Sequence, residues 1–209
     1  SAVNLVANFT VYDTIIDARD SSVYRIVKIA NETWLAENLR YAPTAHEKSP
    51  DDLSYGALYD HKAALRACPA GWHLPDDAEW ESLVKTMGGS AIAGQKLRSR
   101  VGWPGDNGSD DLGFAALPAE LWYSGSADPK LATAWWSAET NNLALQYYAS
   151  TATPYPADTN AALAVRCVKG EVPAQSLKIT PNRLELAEND TAYLEVEILP
   201  VNATDTGVV

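Results

Sequence analysis

The first half of the chain carries both alternating and helical patterns of apolar residues. Residues 23–29 alternate between two faces, which predicts a half-buried strand. Residues 59–67 are rich in Ala and Leu and predict a first helix, and residues 91–99 predict a short third helix. Short β-branched and aromatic runs within residues 4–16 indicate another strand, or the end of a preceding module.

The second predicted helix has the clearest boundaries. Asp76 follows Pro75 and stands three residues before Glu79, which is the pattern of a capping box. Gly88 and Gly89 are expected to end this helix. Its apolar residues recur at the i, i+3, i+4 and i+7 positions of one helix face, and they are Trp80, Leu83, Val84 and Met87.

The chain from residue 114 to residue 168 shows short apolar runs separated by turn-forming residues. The predicted strands are residues 121–123, 133–137, 143–149 and 162–168. Two to three helices in the first half, with an antiparallel sheet behind them, define an α+β domain. A doubly wound parallel sheet is disfavoured, because strands and helices do not alternate along the chain.

The composition changes after Gly170. We predict an N-terminal strand or linker at residues 1–16, one domain at residues 17–169, a linker at residues 170–175 and a short all-β segment at residues 176–209. The last segment has two alternating runs. Two or three strands cannot bury both faces of a sandwich, so this segment is truncated, packs on the domain or is completed by another chain.

The net charge limits the possible partners. The 209 residues include 27 acidic and 16 basic side chains, which gives a formal charge of -11. This charge disfavours nucleic acid and membrane surfaces as partners. The sequence has no apolar stretch of the roughly 20 residues that a bilayer span needs, and it starts without the pattern of a signal peptide. We therefore expect no direct membrane insertion and a mature protein without its leader.

The two cysteines, Cys68 and Cys167, lie too far apart for a C-x-x-C redox or zinc motif. A structural disulfide is the favoured interpretation, and two buried free thiols are the alternative. A disulfide would place the protein in an oxidising compartment.

The loop at residues 102–113 supplies clustered oxygen donors from Asp106, Asn107, Asp110 and Asp111. Hard cations such as Ca²⁺ bind such donors, so calcium is a possible ligand here. The loop lacks the closing Glu of an EF-hand, and turn formation and capping explain the same residues. No cofactor is required by the sequence.

Aromatic and amide side chains are concentrated in the β half and could bind sugar or protein by stacking and large-area contact. In adjacent pairs, strand alternation predicts that one ring faces the core and the other faces solvent. The candidate ligand-binding residues are Trp122, Tyr123, Trp135, Trp136, Asn141, Asn142, Tyr147, Tyr148 and Tyr155.

Several blocks of the chain resemble a bacterial family known as the Fibrobacter succinogenes major paralogous domain. They include residues 34–39 (WLAENL), 67–75 (ACPAGWHLP), 110–118 (DDLGFAALP) and 165–169 (VRCVK). The resemblance implies a C-type-lectin-like fold, in which a long-range disulfide ties the first helix to the last strand. On this basis Cys68 and Cys167 are the bonded pair.

The tail resembles the start of a group 2 bacterial immunoglobulin-like domain, on residues 176–181, 184–186 and 194–200. Such modules commonly act as spacers that hold adhesive domains away from a cell surface. The resemblance therefore implies an immunoglobulin-like segment that is only partly present here.

These observations together favour a non-catalytic binding or adhesion module of a secreted, extracellular bacterial surface or pilus-associated protein. Its expected partner is a host or microbial glycan or protein. A structural subunit that assembles with other surface or pilus subunits is the alternative. An enzyme related to formylglycine-generating oxidases is a lesser alternative. That chemistry uses reactive cysteines, and the chain has none to spare if its two cysteines are bonded to each other. The sequence also has no catalytic motif such as G-x-S-x-G.

Overall fold

A computed structural model describes residues 13–42, 55–105, 107–123, 126–139, 141–146, 149–156, 158, 160–170, 176–181, 191, 193 and 195–199. Within these residues the helices are α1 (His61–Ala64), α2 (Asp77–Thr86) and α3 (Ser90–Leu97). The strands are β1 (Asp13–Ile16), β2 (Val23–Ile29), β3 (Glu32–Leu35), β4 (Leu58–Tyr59), β5 (Trp72–His73), β6 (Ala119–Tyr123), β7 (Ser126–Trp136), β8 (Asn141–Gln146), β9 (Thr153–Pro156), β10 (Leu163–Ala164), β11 (Val168–Lys169), β12 (Ser176–Thr180) and β13 (Glu195–Leu199).

The strands form two larger sheets, which are mainly antiparallel. The first has the order β1-β2-β3-β11-β5. The second has the order β4-β10-β7-β8-β9, and β6 also pairs with β7, outside this order. The parallel pairing of β10 with β7 is the exception to the antiparallel pattern. The described residues therefore have the predicted α+β architecture.

Helix α2 begins at the predicted capping box. The Asp76 side chain accepts a hydrogen bond from the Glu79 backbone N at 2.8 Å, and the Glu79 carboxylate accepts one from the Asp76 backbone N at 2.9 Å. Trp80 and Leu83 are buried, as the apolar spacing predicts. The first helix is shorter than predicted, because α1 covers four residues and the chain then continues in turns to Cys68.

The predicted strand at residues 162–168 is wrong as a single element. Leu163 and Ala164 pair in the second sheet, whereas Val168 and Lys169 pair in the first. Residues 165–167 carry the chain from one sheet to the other. An apolar run of this length does not distinguish one buried strand from two short ones that are buried in different sheets.

Residues 132–136 of strand β7 are buried on both faces of the strand. Trp135 stacks on Trp80 with ring centroids 5.9 Å apart, in one core cluster. Trp136 belongs to the other cluster, with Tyr59 and Leu163, and its Nε1 donates to the Tyr59 carbonyl oxygen at 2.7 Å. The prediction that one ring of this pair faces solvent is therefore wrong. The two rings do point to opposite faces, but each face packs against its own core.

Cys68 and Cys167 form a disulfide that closes a sequence separation of 99 residues, with their Cα atoms 5.9 Å apart. The predicted pairing is confirmed. Cys68 follows α1, and Cys167 immediately precedes β11. The bond thus ties the first helical segment to the chain crossing between the two sheets. Closing a loop of this length contributes about 4–5 kcal/mol in the chain-entropy treatment.

The two ends of the described chain also contain strands. β1 pairs with β2 through residues 13–16, while residues 1–12 lie outside the described residues. β12 pairs with β13 in a separate two-stranded sheet, which agrees with the alternating runs of the tail. Among the described residues, no helix is long and apolar enough to cross a membrane.

Candidate functional site

The structure brings part of the aromatic segment into neighbouring strands. Trp136 pairs with Asn142, and Asn142 pairs with Tyr155 on the next strand. Trp122 and Tyr123 lie in β6, but their side chains, like that of Tyr155, are outside the described set. Tyr147 and Tyr148 lie outside the described residues altogether. A binding role for these four tyrosines and Trp122 stays a prediction.

The buried candidates do not form a solvent-facing surface. Trp135, Trp136 and Asn142 are at most 1% exposed, so none of them reaches solvent in this structure. Neither Oδ1 nor Nδ2 of Asn142 has a hydrogen-bond partner among the described residues. Asn141 is half-buried, and its Nδ2 donates to Asp77 at the start of α2.

The loop considered for calcium uses its described oxygen donors within the chain. Asn107 Oδ1 accepts from the Trp103 backbone N at 3.1 Å, and Asp110 Oδ1 accepts from the Ala115 backbone N at 2.8 Å. Asp111 lies 3.7 Å from the Lys96 ammonium. Asp106 lies outside the described residues. The described residues contain no cluster of three His, Cys, Asp or Glu side chains that could hold a metal ion.

A pocket of about 210 Å³ opens where the two large sheets are joined. The segment after β3 runs between β2 and the crossing at residues 165–167. Leu35 and Leu39 donate their backbone N–H groups to Cys167 and Val165 at 3.0 and 2.9 Å. The pocket is lined by Arg25, Ala36, Glu37, Asn38, Tyr55, Ala115, Leu117 and Arg166.

Arg166 forms the floor of this pocket and is 1% exposed. Its guanidinium donates to the Asn38 side-chain oxygen and to the Phe114 carbonyl oxygen. Its central carbon lies 4.3 Å from the Phe114 ring centroid and 5.3 Å from that of Trp135. Such cation–π contacts stabilise a desolvated cation by about 2 kcal/mol. Among the described residues, every group that bonds this cation or stacks on it is electrically neutral.

Arg166 makes no salt bridge with any described residue. Glu37 and Asp110 attract its charge only through space. Burial lowers the pKa of Arg166 to about 9, so the guanidinium still carries its charge at neutral pH. A fully buried charge without a paired counter-charge is rare, because desolvation of a charge costs several kcal/mol.

Among the described residues that line the pocket, Glu37 is the one carboxylate, and Arg25 and Arg40 bind it. Its Oε1 accepts from Arg25 Nε at 2.7 Å, and its Oε2 accepts from Arg40 Nη1 at 2.8 Å. Burial opposes ionisation of Glu37, but the bonds from Arg40 and Arg25 outweigh it and lower the pKa of Glu37. Arg25 and Arg166 line the pocket with Glu37, so the described lining residues carry one positive charge in excess, on a chain of net charge -11.

Asn38 fixes the geometry of the floor. Its Oδ1 accepts from Trp135 Nε1 at 2.7 Å as well as from Arg166, and its Nδ2 donates to the Tyr55 carbonyl oxygen at 2.8 Å. Gly56 permits this close approach, because a Cβ there would lie 2.4 Å from the Asn38 Cβ, and its φ of +91° favours glycine.

Ala115 lines the opposite wall with a φ of +53°, which is unusual for a residue with a Cβ. The Asp110 carboxylate holds this conformation by accepting the Ala115 backbone N–H. Backbone held in a sparsely populated region costs about 1–3 kcal/mol, and such strain is concentrated at binding and active sites. The wall of the pocket is thus built by the loop that the sequence suggested for calcium.

The pocket residues were not among the sequence candidates, although all of them except Arg25 and Tyr55 lie in the blocks named above for the family resemblance. One signal was available for Arg166. It is the only charged residue in the apolar run of residues 161–168. A charge in such a run is either paired in the core or placed there for binding. His73 has a structural role, because its ring bonds the Glu79 carboxylate and the Gly170 carbonyl oxygen.

The fold and pocket define a disulfide-linked α+β domain with a cationic pocket between two sheets. A family model for the Fibrobacter succinogenes major domain matches residues 27–169, and the chain belongs to this family. The match includes the disulfide and every residue of the pocket except Arg25. Comparisons with curated proteins and with solved structures find no match.

Proposed function

We propose that this protein is a non-catalytic, extracellular binding module of a bacterial surface protein, and that the pocket above Arg166 is its binding site. One observation carries the proposal. The chain buries a positive charge at the floor of an open pocket, and the part of the chain that the structure describes supplies only neutral partners to it. A fold gains no stability from such an arrangement, whereas a ligand that enters the pocket gains from it.

Three further features support the proposal. The domain family is surface-associated. The disulfide suits an oxidising, extracellular compartment. Both cysteines are bonded to each other, and formylglycine-generating oxidases need reactive cysteines. A C-type-lectin-like fold is part of the proposal, since the disulfide joins the first helical segment to the residue directly before β11, the last strand of the domain. The resemblance to that superfamily implies a link of this kind between the first helix and the last strand.

A binding screen tests the proposal. The purified protein is applied to glycan and host-protein arrays, and each hit is measured again with Arg25→Gln, which changes the pocket rim. Arg100→Gln is the matched control, because Arg100 is exposed and does not line the pocket. We expect Arg25→Gln to weaken the hits at least ten-fold and Arg100→Gln to leave them unchanged.

The aromatic candidates give the contrasting result. If Trp122→Ala removes binding and Arg25→Gln does not, the site lies in the β half of the domain and the pocket assignment is wrong. Hits that survive both changes would also contradict the assignment.

A further inference from the structure

The chemistry of the pocket narrows the class of ligand. Resting on the proposed function above, we infer that the pocket binds the carboxylate of an acidic sugar, with Arg166 as its buried counter-charge. The charge of the pocket lining favours an anionic ligand. An anionic group is attracted by the excess positive charge of the lining, while the net charge of -11 opposes the approach of anions elsewhere on the chain.

A carboxylate fits the arginine donors. Arg166 uses part of its guanidinium to bond Asn38 and Phe114, and a guanidinium has more N–H donors than these bonds occupy. Arg25 stands at the rim with 39% of its side chain exposed. Planar guanidinium groups match the geometry of carboxylates, and the resulting charge-assisted hydrogen bonds are about twice as strong as neutral ones.

Glu37 explains why the carboxylate should belong to a sugar. The Glu37 carboxylate lines the pocket and is held ionised by Arg25 and Arg40. An anionic ligand without hydrogen-bond donors would be repelled by it. Hydroxyl groups beside the ligand carboxylate can donate to Glu37, because a carboxylate oxygen accepts more than one hydrogen bond. A pocket with cationic donors beside an anionic acceptor is complementary to a polyhydroxy acid.

The size of the pocket agrees with one sugar residue. Its volume of about 210 Å³ is below the roughly 300–1,000 Å³ of pockets that bury a drug-sized ligand. We therefore expect recognition of one acidic residue within a longer glycan, with a dissociation constant in the millimolar range for the free monosaccharide.

Calorimetric titration of the full chain with matched ligands tests the inference. D-Glucuronate and D-glucose share one ring and differ in a carboxylate against a hydroxymethyl group. N-Acetylglycylglycine and its amide form the corresponding pair for a peptide carboxylate. At matched ionic strength, we expect glucuronate to bind at least ten-fold more tightly than glucose and more tightly than the peptide acid.

The other outcomes overturn the inference in distinguishable ways. Equal binding of glucuronate and glucose would show that the pocket does not require a carboxylate, and it would leave the proposed binding function standing. Tighter binding of the peptide acid than of glucuronate would show that the ligand is not an acidic sugar. Absence of glucuronate binding would reject the inference, while the array screen with Arg25→Gln would decide separately whether the pocket is a binding site.

Two variants test the charge pairing, and the tighter binding expected for Glu37→Gln is a result that misfolding cannot imitate. Glu37→Gln keeps a hydrogen-bond acceptor and removes the repelling charge, so we expect glucuronate to bind about three- to ten-fold more tightly. Arg25→Gln should weaken glucuronate binding by a similar factor, with Arg100→Gln as the matched control. If Glu37→Gln weakens glucuronate binding, the inferred charge pairing is wrong.

Discussion

The side-chain oxygen of Asn38 accepts hydrogen bonds from both Nε and Nη2 of Arg166, at 3.2 and 2.8 Å. The two residues are 128 positions apart in sequence. Asn38 follows β3 in the first sheet, and Arg166 lies where the chain crosses between the sheets. This contact therefore links the two halves of the domain and orients the cation at the floor of the pocket.

Replacement of Asn38 should show how much this residue contributes to the stability of the fold. In Asn38→Ala, Trp135 Nε1, two guanidinium nitrogens and the Tyr55 carbonyl oxygen lose a partner. Each unsatisfied buried group costs about 1–3 kcal/mol, so we expect the free energy of unfolding to fall by at least about 3 kcal/mol. Urea unfolding measures this change, with exposed Asn160→Ala as the control. A loss below about 1 kcal/mol would contradict the bonding described.

Replacement of Arg166 should separate stability from binding. Burial lowers the folded-state pKa of Arg166 from its usual value to about 9. The buried charge therefore destabilises the fold at neutral pH, and this cost is relieved only as the pH rises above about 9. Met has a similar length and no charge. We expect Arg166→Met to keep the unfolding free energy within about 1 kcal/mol of wild type, or to raise it, because the lost hydrogen bonds offset the relieved charge.

The same variant should lose ligand binding in the array screen. Ligand binding and the free energy of unfolding are each compared between Arg166→Met and wild type at neutral pH. We expect binding to be lost and the free energy of unfolding to be nearly unchanged or higher. A loss of more than about 3 kcal/mol in Arg166→Met would show that Arg166 holds the fold together, and the argument for a functional cation would fail.

His73 should make the stability depend on pH. Burial opposes its protonation, but the bonds to the Glu79 carboxylate and the Gly170 carbonyl oxygen outweigh it and raise the pKa of His73. A raised folded-state pKa contributes stability that is complete below the unfolded value of about 6.5 and is lost as the pH rises through the folded value. We expect wild type to exceed His73→Gln in unfolding free energy by more at about pH 5.5 than at about pH 9.

His61→Gln is the matched control for the loss of a histidine, since His61 bonds only the Ser137 carbonyl oxygen through its ring. A difference between wild type and His73→Gln that stays constant between the two pH values would rule out the ion pair with Glu79.

Loss of the disulfide should be costly. Removing it with Cys68→Ala together with Cys167→Ala opens a loop of 99 residues, and we expect the unfolding free energy to fall by about 4–5 kcal/mol. Thermal and urea unfolding of the double variant measure the loss. Unchanged stability would mean that the crossing segment is held by its backbone bonds to Leu35 and Leu39 alone.

The local elements could be predicted because their signals are local. The capping box of Asp76 and Glu79 predicted the start of α2, and the alternation of apolar residues predicted the bounds of β2. The strands β4, β5, β10 and β11 have two residues each, too few for any period to be recognised. β9 was missed because it contains two prolines, which are confined to sheet edges.

The pocket could not be predicted, because its residues come from separate parts of the chain. Arg25, Asn38, Ala115 and Arg166 meet through sheet pairing and the crossing at residues 165–167, and periodicity does not report such contacts. The error at Trp135 and Trp136 has a related cause. Alternation gives the two faces of a strand, but the number of cores around that strand is a tertiary property.

The most direct test of the account is whether a ligand carboxylate reaches the buried cation. The Arg166 side-chain Nε–H resonance, assigned by its loss in Arg166→Met, is followed by ¹⁵N NMR while D-glucuronate is added. We expect this resonance to shift saturably with glucuronate and to remain unchanged with equal concentrations of D-glucose. A resonance that stays fixed while glucuronate binds would place the ligand elsewhere and contradict the assignment of Arg166 as the floor of the binding site.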